Sequence, residues 1–376
     1  MPRMSLAAAL LFSLLFVSTL VQLPAAADDV KTLAIGSTAP DFKLPGVDGK
    51  SYSLADFARG PVLVVVFTAN HCPTAQAYEE RIEAIAADYR DRGVALVAVS
   101  PNDPRAVRLD ELGYTDMSDS FEEMKLRAAD QGFGFPYLYD GDTQQVSLAY
   151  GPMATPHVFI FDRERKLRYT GRVDDSEKPE KVKSRDARNA IEALLAGKKP
   201  PVEVTKTFGC SIKWADKSAG VQEVFERWAA EPVSVEKIDS RGLGQILANS
   251  TGKLRLVNVW ATWCGPCVVE FPELITVNRM YRGRDFELVT VSADSPDKSD
   301  KVLQFLDNQE ASCTNFLFAS DDKYALIEAV DPAWPGSLPY TLLVKPGGEV
   351  IFRKLGPIDP LELKRAIVGY LGRYYE

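Results

Sequence analysis

The chain has 376 residues, 46% apolar and 26% charged, ordinary proportions for water-soluble globular protein and enough length for two domains. Its formal net charge of −8 argues against a nucleic-acid partner, which would want a basic face. The five cysteines are an odd number, so they cannot all pair within the chain. They are also too few for a disulfide-stapled scaffold of this length, and they read as working cysteines.

The first element in chain order is a leader. Arg3 gives a positive start, "LAAALLFSLLFVSTLVQL" an apolar stretch, and Ala25-Ala26-Ala27 a small-residue cleavage site before Asp28 and Asp29. This pattern predicts a signal peptide over residues 1–27 and a periplasmic or secreted mature protein, with an uncleaved anchor as the other reading. No cysteine directly follows the apolar stretch, which speaks against a lipid-bearing mature N-terminus. No later segment reaches the roughly 20 apolar residues of a membrane span, so no stable insertion is expected after cleavage. Outside the cytosol a disulfide can persist.

"PVLVVVF" at 61–67 reads as a strand, followed by Cys72-Pro73 and a helix from about Ala75 to Tyr89 with Ile82, Ile85 and Ala86 at helical spacing. "GVALVAVS" at 93–100 is the next strand. "TPHVFIFDRERKLRY", starting at Thr155, gives a strand beginning at a proline, a polar turn and a second strand. "ARNAIEALLA" closes with a helix, which "GKKPPVEV" at 197–204 breaks. The second half repeats the order: "LRLVNVW", a Cys-Pro turn and helix, "FELVTVSAD" at 286–294, and "LPYTLLVKPGGEVIF" from Leu338. Continuous apolar runs suit strands covered on both faces, and strands alternating with helices predict βαβ units. We read an internal duplication of one α/β domain: residues 28–199 and 221–376, joined by an arm at 200–220 that carries Cys210.

Cys264 and Cys267 lie three residues apart at a strand-to-helix turn, with Gly265-Pro266 between them. Both sulfurs then reach one face of the helix start. The orphan N–H groups and helix dipole there favour a thiolate at Cys264, and Cys267 is placed to resolve a mixed disulfide. A structural disulfide or half of a zinc site are the other readings. Zinc needs two more ligands, and the only histidines, His71 and His157, lie in the other half. "VWATWCGPC" resembles the active-site signature of the thioredoxin family, and "CVVEFPEL" resembles its TlpA/ResA-type branch of exported thiol-disulfide oxidoreductases. The resemblance implies a central mixed sheet flanked by helices. It implies a cis-proline at Pro339, a substrate strand pairing with backbone at Leu338, and an exposed apolar lip at Trp263; Trp260 reads as core. Asn258 stands where many thioredoxins have a buried Asp. Glu270 matches a glutamate kept near the dithiol in the ResA-type branch, placed to tune the thiols and accept the Cys267 proton; a plain surface position is its other reading. Cys313 reads as a buried small hydrophobe.

In the first half, Cys72 occupies the position equivalent to Cys264, so the same dipole argument lowers its pKa. "STAPDFKLPGVDGKSYSLADF" at 37–57 resembles the entry segment of peroxiredoxin-like and TlpA-like proteins, and this half resembles the AhpC/TSA redoxins. The resemblance implies a cis-proline at Pro156, with Thr155 and Pro156 near Cys72. His71 and His157 are each candidates for an imidazolium that favours the thiolate. The half departs from the peroxiredoxin pattern P-x-x-x-T-x-x-C: Val65 and Ala69 stand where Pro and Thr belong. Ala75 replaces the second cysteine of a CxxC. Cys210, in "TKTFGCSIKWADKS" with the flexible Gly209 before it, is the candidate resolver, because the tail resembles a redoxin subgroup whose tail cysteine accompanies a "CP-x-A" site.

The resulting expectation is an α/β protein of two tandem thioredoxin-like domains, each a central mixed sheet flanked by helices. It acts as an exported thiol-disulfide oxidoreductase in which the CGPC domain relays electrons to a Cys72/Cys210 site. Two alternatives stay open. One is a thiol peroxidase with Cys72 peroxidatic and the CGPC domain as its reductant. The other is a first domain that binds a client or a metal without catalysis, copper at Cys72, His71 and His157 being the metal case. No cofactor and no metal is called for. The expected partners are protein disulfides or dithiols and an upstream membrane or exported thiol donor, with no nucleic acid.

Overall fold

The computed structural model describes residues 30–374; the leader expected over 1–27 lies outside the described residues. The first unit opens with a small antiparallel ribbon, β1 (Lys43–Pro45) and β2 (Ser51–Ser53), followed by β3 (Val62–Phe67), α1 (Pro73–Arg90) and β4 (Val94–Ser100). Then come α2 (Phe121–Gln131), β5 (Tyr137–Tyr139), α3 (Gln145–Tyr150), β6 (His157–Phe161), β7 (Leu167–Gly171) and α4 (Asp186–Leu195). The second unit adds α5 (Ser218–Ala229), β8 (Glu236–Ile238) and α6 (Ser240–Ala248) before its own core: β9 (Leu254–Trp260), α7 (Gly265–Tyr281), β10 (Phe286–Ser292), α8 (Ser299–Asn308), β11 (Thr314–Phe318), α9 (Lys323–Val330), β12 (Tyr340–Val344), β13 (Val350–Leu355) and α10 (Pro360–Leu371).

The two sheets have one plan. The first runs β5-β4-β3-β6-β7 and the second β8-β11-β10-β9-β12-β13, with β8 as an added parallel edge strand. In each, the central strand is parallel to the next strand in sequence and antiparallel to the strand that follows the proline. Even the register repeats. Phe67 pairs with His157, one residue after Pro156, and Val259 pairs with Tyr340, one residue after Pro339. Both X-Pro bonds, Thr155-Pro156 and Leu338-Pro339, are cis.

The apolar runs explain the layering. Along β3, Val62, Val64 and Val66 enter the core under α1 and α4, while Leu63, Val65 and Phe67 enter the core on the opposite face. A strand buried on both sides must be apolar at every position. In β9 the same alternation sends Leu254, Leu256 and Trp260 to one core and Val257 and Val259 to the other. Asn258 is the polar exception, fully buried within this run.

The units stack head to tail. Loop residues Val107 and Leu112 of the first unit join the core formed by Val277, Met280 and Tyr281 of the second. The Tyr281 hydroxyl donates to Thr115 O at 2.7 Å, and Arg373 pairs with Asp116 at 2.6 Å and donates to Gln76 Oε1 at 3.2 Å. This contact uses the C-terminal end of α7. The dithiol is at its other end, about 24 Å away along the axis at 1.5 Å per residue.

Candidate functional site: two cysteine-capped helices

In both units a cysteine is the N-cap of the helix after the central strand. Cys72 Sγ accepts the N–H of Ala75 and Cys264 Sγ that of Cys267, each at 3.3 Å. Ser, Thr, Asp or Asn cap helices better, so capping alone does not account for sulfur at both positions. Pro73 and Pro266 fill the first helical turn, where a missing N–H costs nothing.

In the second unit Cys264 and Cys267 form a disulfide. Trp263 beside them is 59% exposed, with Lys323 Nζ 5.6 Å from its ring centre, whereas Trp260 is fully buried. Glu270 is buried: its Oε1 accepts from Asn258 Nδ2 at 3.0 Å and its Oε2 from the Ile358 N–H at 2.9 Å. Burial raises its pKa above the usual carboxylate value, and these two donors only partly oppose that. Asn258 also donates to Thr341 Oγ1 at 3.0 Å, leaving its own Oδ1 buried without a partner. The structure thus joins Asn258 and Glu270, which the sequence analysis treated separately. Cys313 is half-buried, donates to Asn315 Oδ1 at 3.3 Å, and burial pushes its thiol up to about 12.

In the first unit Cys72 is fully buried. Its Sγ donates to Thr155 O at 3.2 Å and accepts the backbone N–H of Cys210 at 3.4 Å. Cys210 O accepts the Thr155 N–H at 2.9 Å, closing an antiparallel bridge between these residues. The structure therefore brings Cys72, Thr155, Pro156 and Cys210 together. Burial pushes the Cys72 thiol up, but hydrogen bonding with the Cys210 side chain, the charge of His71 and the Ala75 N–H outweigh it and bring it down to about 6.

The partner of His71 is Asp119, at 2.5 Å from Nδ1 to Oδ2, with both side chains buried. Burial opposes an imidazolium, yet the carboxylate raises the His71 pKa overall and is itself held low by the imidazole. Asn102 Nδ2 donates to the same carboxylate at 2.7 Å, and Asp119 Oδ1 accepts the His71 N–H at 3.0 Å. Asp119 and Asn102 were missed in the sequence. Their only signal is position: each lies in a polar loop, Asn102 two residues after the end of β4.

His157 corrects one expectation. Its ring faces Thr170 Oγ1 at 2.9 Å and accepts the Met153 N–H at 3.1 Å, and burial lowers its pKa to about 3. It is neutral and lends Cys72 no charge. With His71 bound to Asp119 and His157 to Thr170, the copper set of the sequence analysis is not assembled. Among the described residues no group of three or more His, Cys, Asp or Glu side chains is placed to hold a metal.

Two α/β units of one topology, each with a cysteine capping the helix after its central strand and a cis-proline opening the strand that pairs with it, define a tandem thiol-redox fold. The chain belongs to the thioredoxin-like superfamily: residues 35–170 match the AhpC/TSA family and residues 236–367 the Redoxin family. Among curated relatives, it is 33% identical to the thiol-disulfide oxidoreductase ResA of Oceanobacillus iheyensis, over 28% of this chain and 50% of that protein. It is 30% identical to the thiol:disulfide interchange protein CycY of Rhizobium leguminosarum bv. viciae, over 37% of this chain and 68% of that one. A solved hypothetical protein of Sinorhizobium meliloti is 36% identical, with 49% of this chain and 97% of that chain covered at a TM-score of 0.44.

Proposed function

We propose that this chain is an exported thiol-disulfide oxidoreductase in which Cys264 attacks a polypeptide disulfide and Cys267 resolves the mixed disulfide. The observation that carries the reading is the Cys264–Cys267 disulfide at the N-terminus of α7. Cys264 retains 6% exposure and Cys267 none, which favours the first as attacker and the second as resolver. The steps balance. Cys264 thiolate bonds one substrate sulfur and expels the other, then Cys267 thiolate attacks Cys264 and frees the first as thiolate. The exposed Trp263 supports a polypeptide substrate, and the sequence of residues 1–27 supports export.

The first unit cycles Cys72 with Cys210 and receives its electrons from a CGPC dithiol. The head-to-tail stacking sets a condition, because the dithiol and the docked contact sit at opposite ends of α7. The relay therefore runs after the units separate, or between two chains. The test is insulin-disulfide reduction together with trapping in Cys267→Ser. Reduction is lost in Cys264→Ser, and the trap links Cys264 to Cys210 or Cys72. Absence of both links disproves the relay; intact reduction in Cys264→Ser disproves the exchange site.

A second reading has one observation in its favour. A thiol held near pH 6 in a segment that matches the AhpC/TSA family suits a thiol peroxidase. Buried Ala69, where that resemblance calls for a threonine, weighs against it. Peroxide consumption abolished in Cys72→Ser supports this reading, and no consumption removes it.

A further inference from the structure

One difference between the two units lies in the backbone before the cis-proline. In the second unit that residue is Leu338, and among the described residues its N–H and C=O enter no backbone hydrogen bond outside helices and strands. In the first unit it is Thr155, and the chain's own arm pairs with it through Cys210. We infer that residues 209–213 are a built-in substrate strand. They fill in the first unit the place that a cysteine-bearing polypeptide takes at the second, so Cys72 exchanges with small molecules and is closed to polypeptide disulfides. The inference rests on the polypeptide exchange proposed above for Cys264.

Three observations carry it. The first is contact. An extended segment binds an open backbone edge by main-chain pairing, and here the Thr155 N–H is already taken at 2.9 Å while Cys210 N–H points at Cys72 Sγ at 3.4 Å. Gly209 permits this approach: its φ is +133°, and a Cβ there would stand 2.0 Å from Thr155 O.

The second is anchoring on both sides. Upstream, Thr170 N–H donates to Glu203 O at 3.0 Å and Thr205 N–H to Thr170 O at 3.1 Å. Downstream, Lys213 N–H donates to Asn102 Oδ1 at 2.9 Å, Gln144 Nε2 donates to Lys213 O at 2.9 Å, and Ala215 N–H donates to Gln144 Oε1 at 2.9 Å. Ile212 and Trp214 are buried. The arm is a fastened strap.

The third is the space left. Next to His71 and Pro73, which flank Cys72 in the chain, lies a cavity of about 340 Å³ walled also by Asp110, Glu111, Tyr114, Cys210 and Lys213; Cys72 itself is fully buried just behind this wall. That volume falls in the range of small-ligand pockets, about 300–1,000 Å³, and the backbone edge that would hold an extended chain is covered.

The test uses the full chain carrying Cys210→Ser, Cys264→Ser and Cys267→Ser. Cys72 is then the reactive thiol, since Cys313, pushed up to about 12 by burial, stays protonated. Two probes are compared: Ellman's reagent, and a short unstructured peptide whose single cysteine carries thionitrobenzoate. In each, Cys72 thiolate attacks the probe disulfide, a mixed disulfide forms, and thionitrobenzoate leaves as the coloured thiolate. Ellman's reagent is expected to react and the peptide to lag at least about tenfold behind it. Adding Gly209→Val unfastens the strap and speeds the peptide about tenfold or more, because exchange at a covered group scales with its open population. Gln144→Gly, which loosens only the far anchor, gives the same direction if Gly209→Val fails to fold. Equal peptide and Ellman's rates with the strap fastened, or a ratio unmoved by both strap variants, overturn the inference. Peptide-disulfide reduction by the unmodified chain is measured alongside. Its absence refutes the exchange proposed for Cys264, whereas the Cys72 ratio tests the strap alone.

Discussion

Cys210 donates its backbone N–H to Cys72 Sγ at 3.4 Å although 138 residues separate them. The same residue bridges Thr155, which itself touches the Cys72 sulfur. One arm residue thus presents backbone and side chain to a buried nucleophile, and the chemistry expected of the first unit follows from how that sulfur is charged.

With the Cys72 thiol at about 6 against an ordinary 9.0, the reduced fold binds fewer protons than the unfolded chain between those values. The stability this gives is fully present above pH 9 and is lost as pH falls through about 6. Iodoacetamide labelling of Cys72, resolved by peptide mass, should therefore rise with a midpoint near pH 6. A midpoint near the ordinary thiol value of 9.0 contradicts the charge arrangement.

Asp119 raises the His71 pKa and so favours its cation, so Asp119→Asn should raise the Cys72 labelling midpoint toward the ordinary thiol value. Breaking a buried, hydrogen-bonded pair should also lower stability by about 3–5 kcal/mol. The midpoint separates this from mere loosening. A destabilised protein with an unchanged midpoint would show that Asp119 supports the fold and leaves the thiolate alone.

Much of this was legible in the sequence, for physical reasons. The all-apolar runs of β3 and β9 announce strands covered on both faces, and the Cys-Pro turns announce capped helices. The matching prolines gave the two late strands, and the glycine-bearing arm gave a fold-back toward Cys72. The His71–Asp119 pair was not legible, because the partners lie 48 residues apart and loop geometry alone joins them. His157 was misread since its place beside the cis-proline was visible but its side chain's turn toward Thr170 was not. The head-to-tail stacking rests on Val107 and Leu112 packed against α7 and on the polar contacts of Tyr281, Asp116 and Arg373, single side chains with no local pattern around them.

Glu270 is buried with its pKa raised. We propose that it accepts the Cys267 proton, in which case it should matter above its own titration and not below. Glu270→Gln is expected to slow insulin reduction about a hundredfold at neutral pH, the low end for a general base. The two proteins should converge on the acid side, where Glu270 is protonated and resembles glutamine. A pH-independent deficit would assign Glu270 to packing under Asn258 instead.

The stacking makes a kinetic prediction. A chain lacking Cys264 and Cys267, mixed with one lacking Cys72 and Cys210, should regain relay with a rate that rises with concentration. Arg373→Ala, which removes the 2.6 Å pair with Asp116, should speed relay within a single intact chain. A concentration-independent relay, unmoved by Arg373→Ala and absent from the mixture, would show that the dithiol reaches Cys210 with the units docked.

The central claim is that this chain holds two redox couples, one local and one closed by an arm. Mass-spectrometric disulfide mapping of protein purified under thiol-blocking conditions, after mild oxidation, tests it most directly. The account predicts two linked peptide pairs, Cys264–Cys267 and Cys72–Cys210, with Cys313 blocked as a free thiol. Cys210 blocked while Cys72 is oxidised alone or joined elsewhere would contradict it.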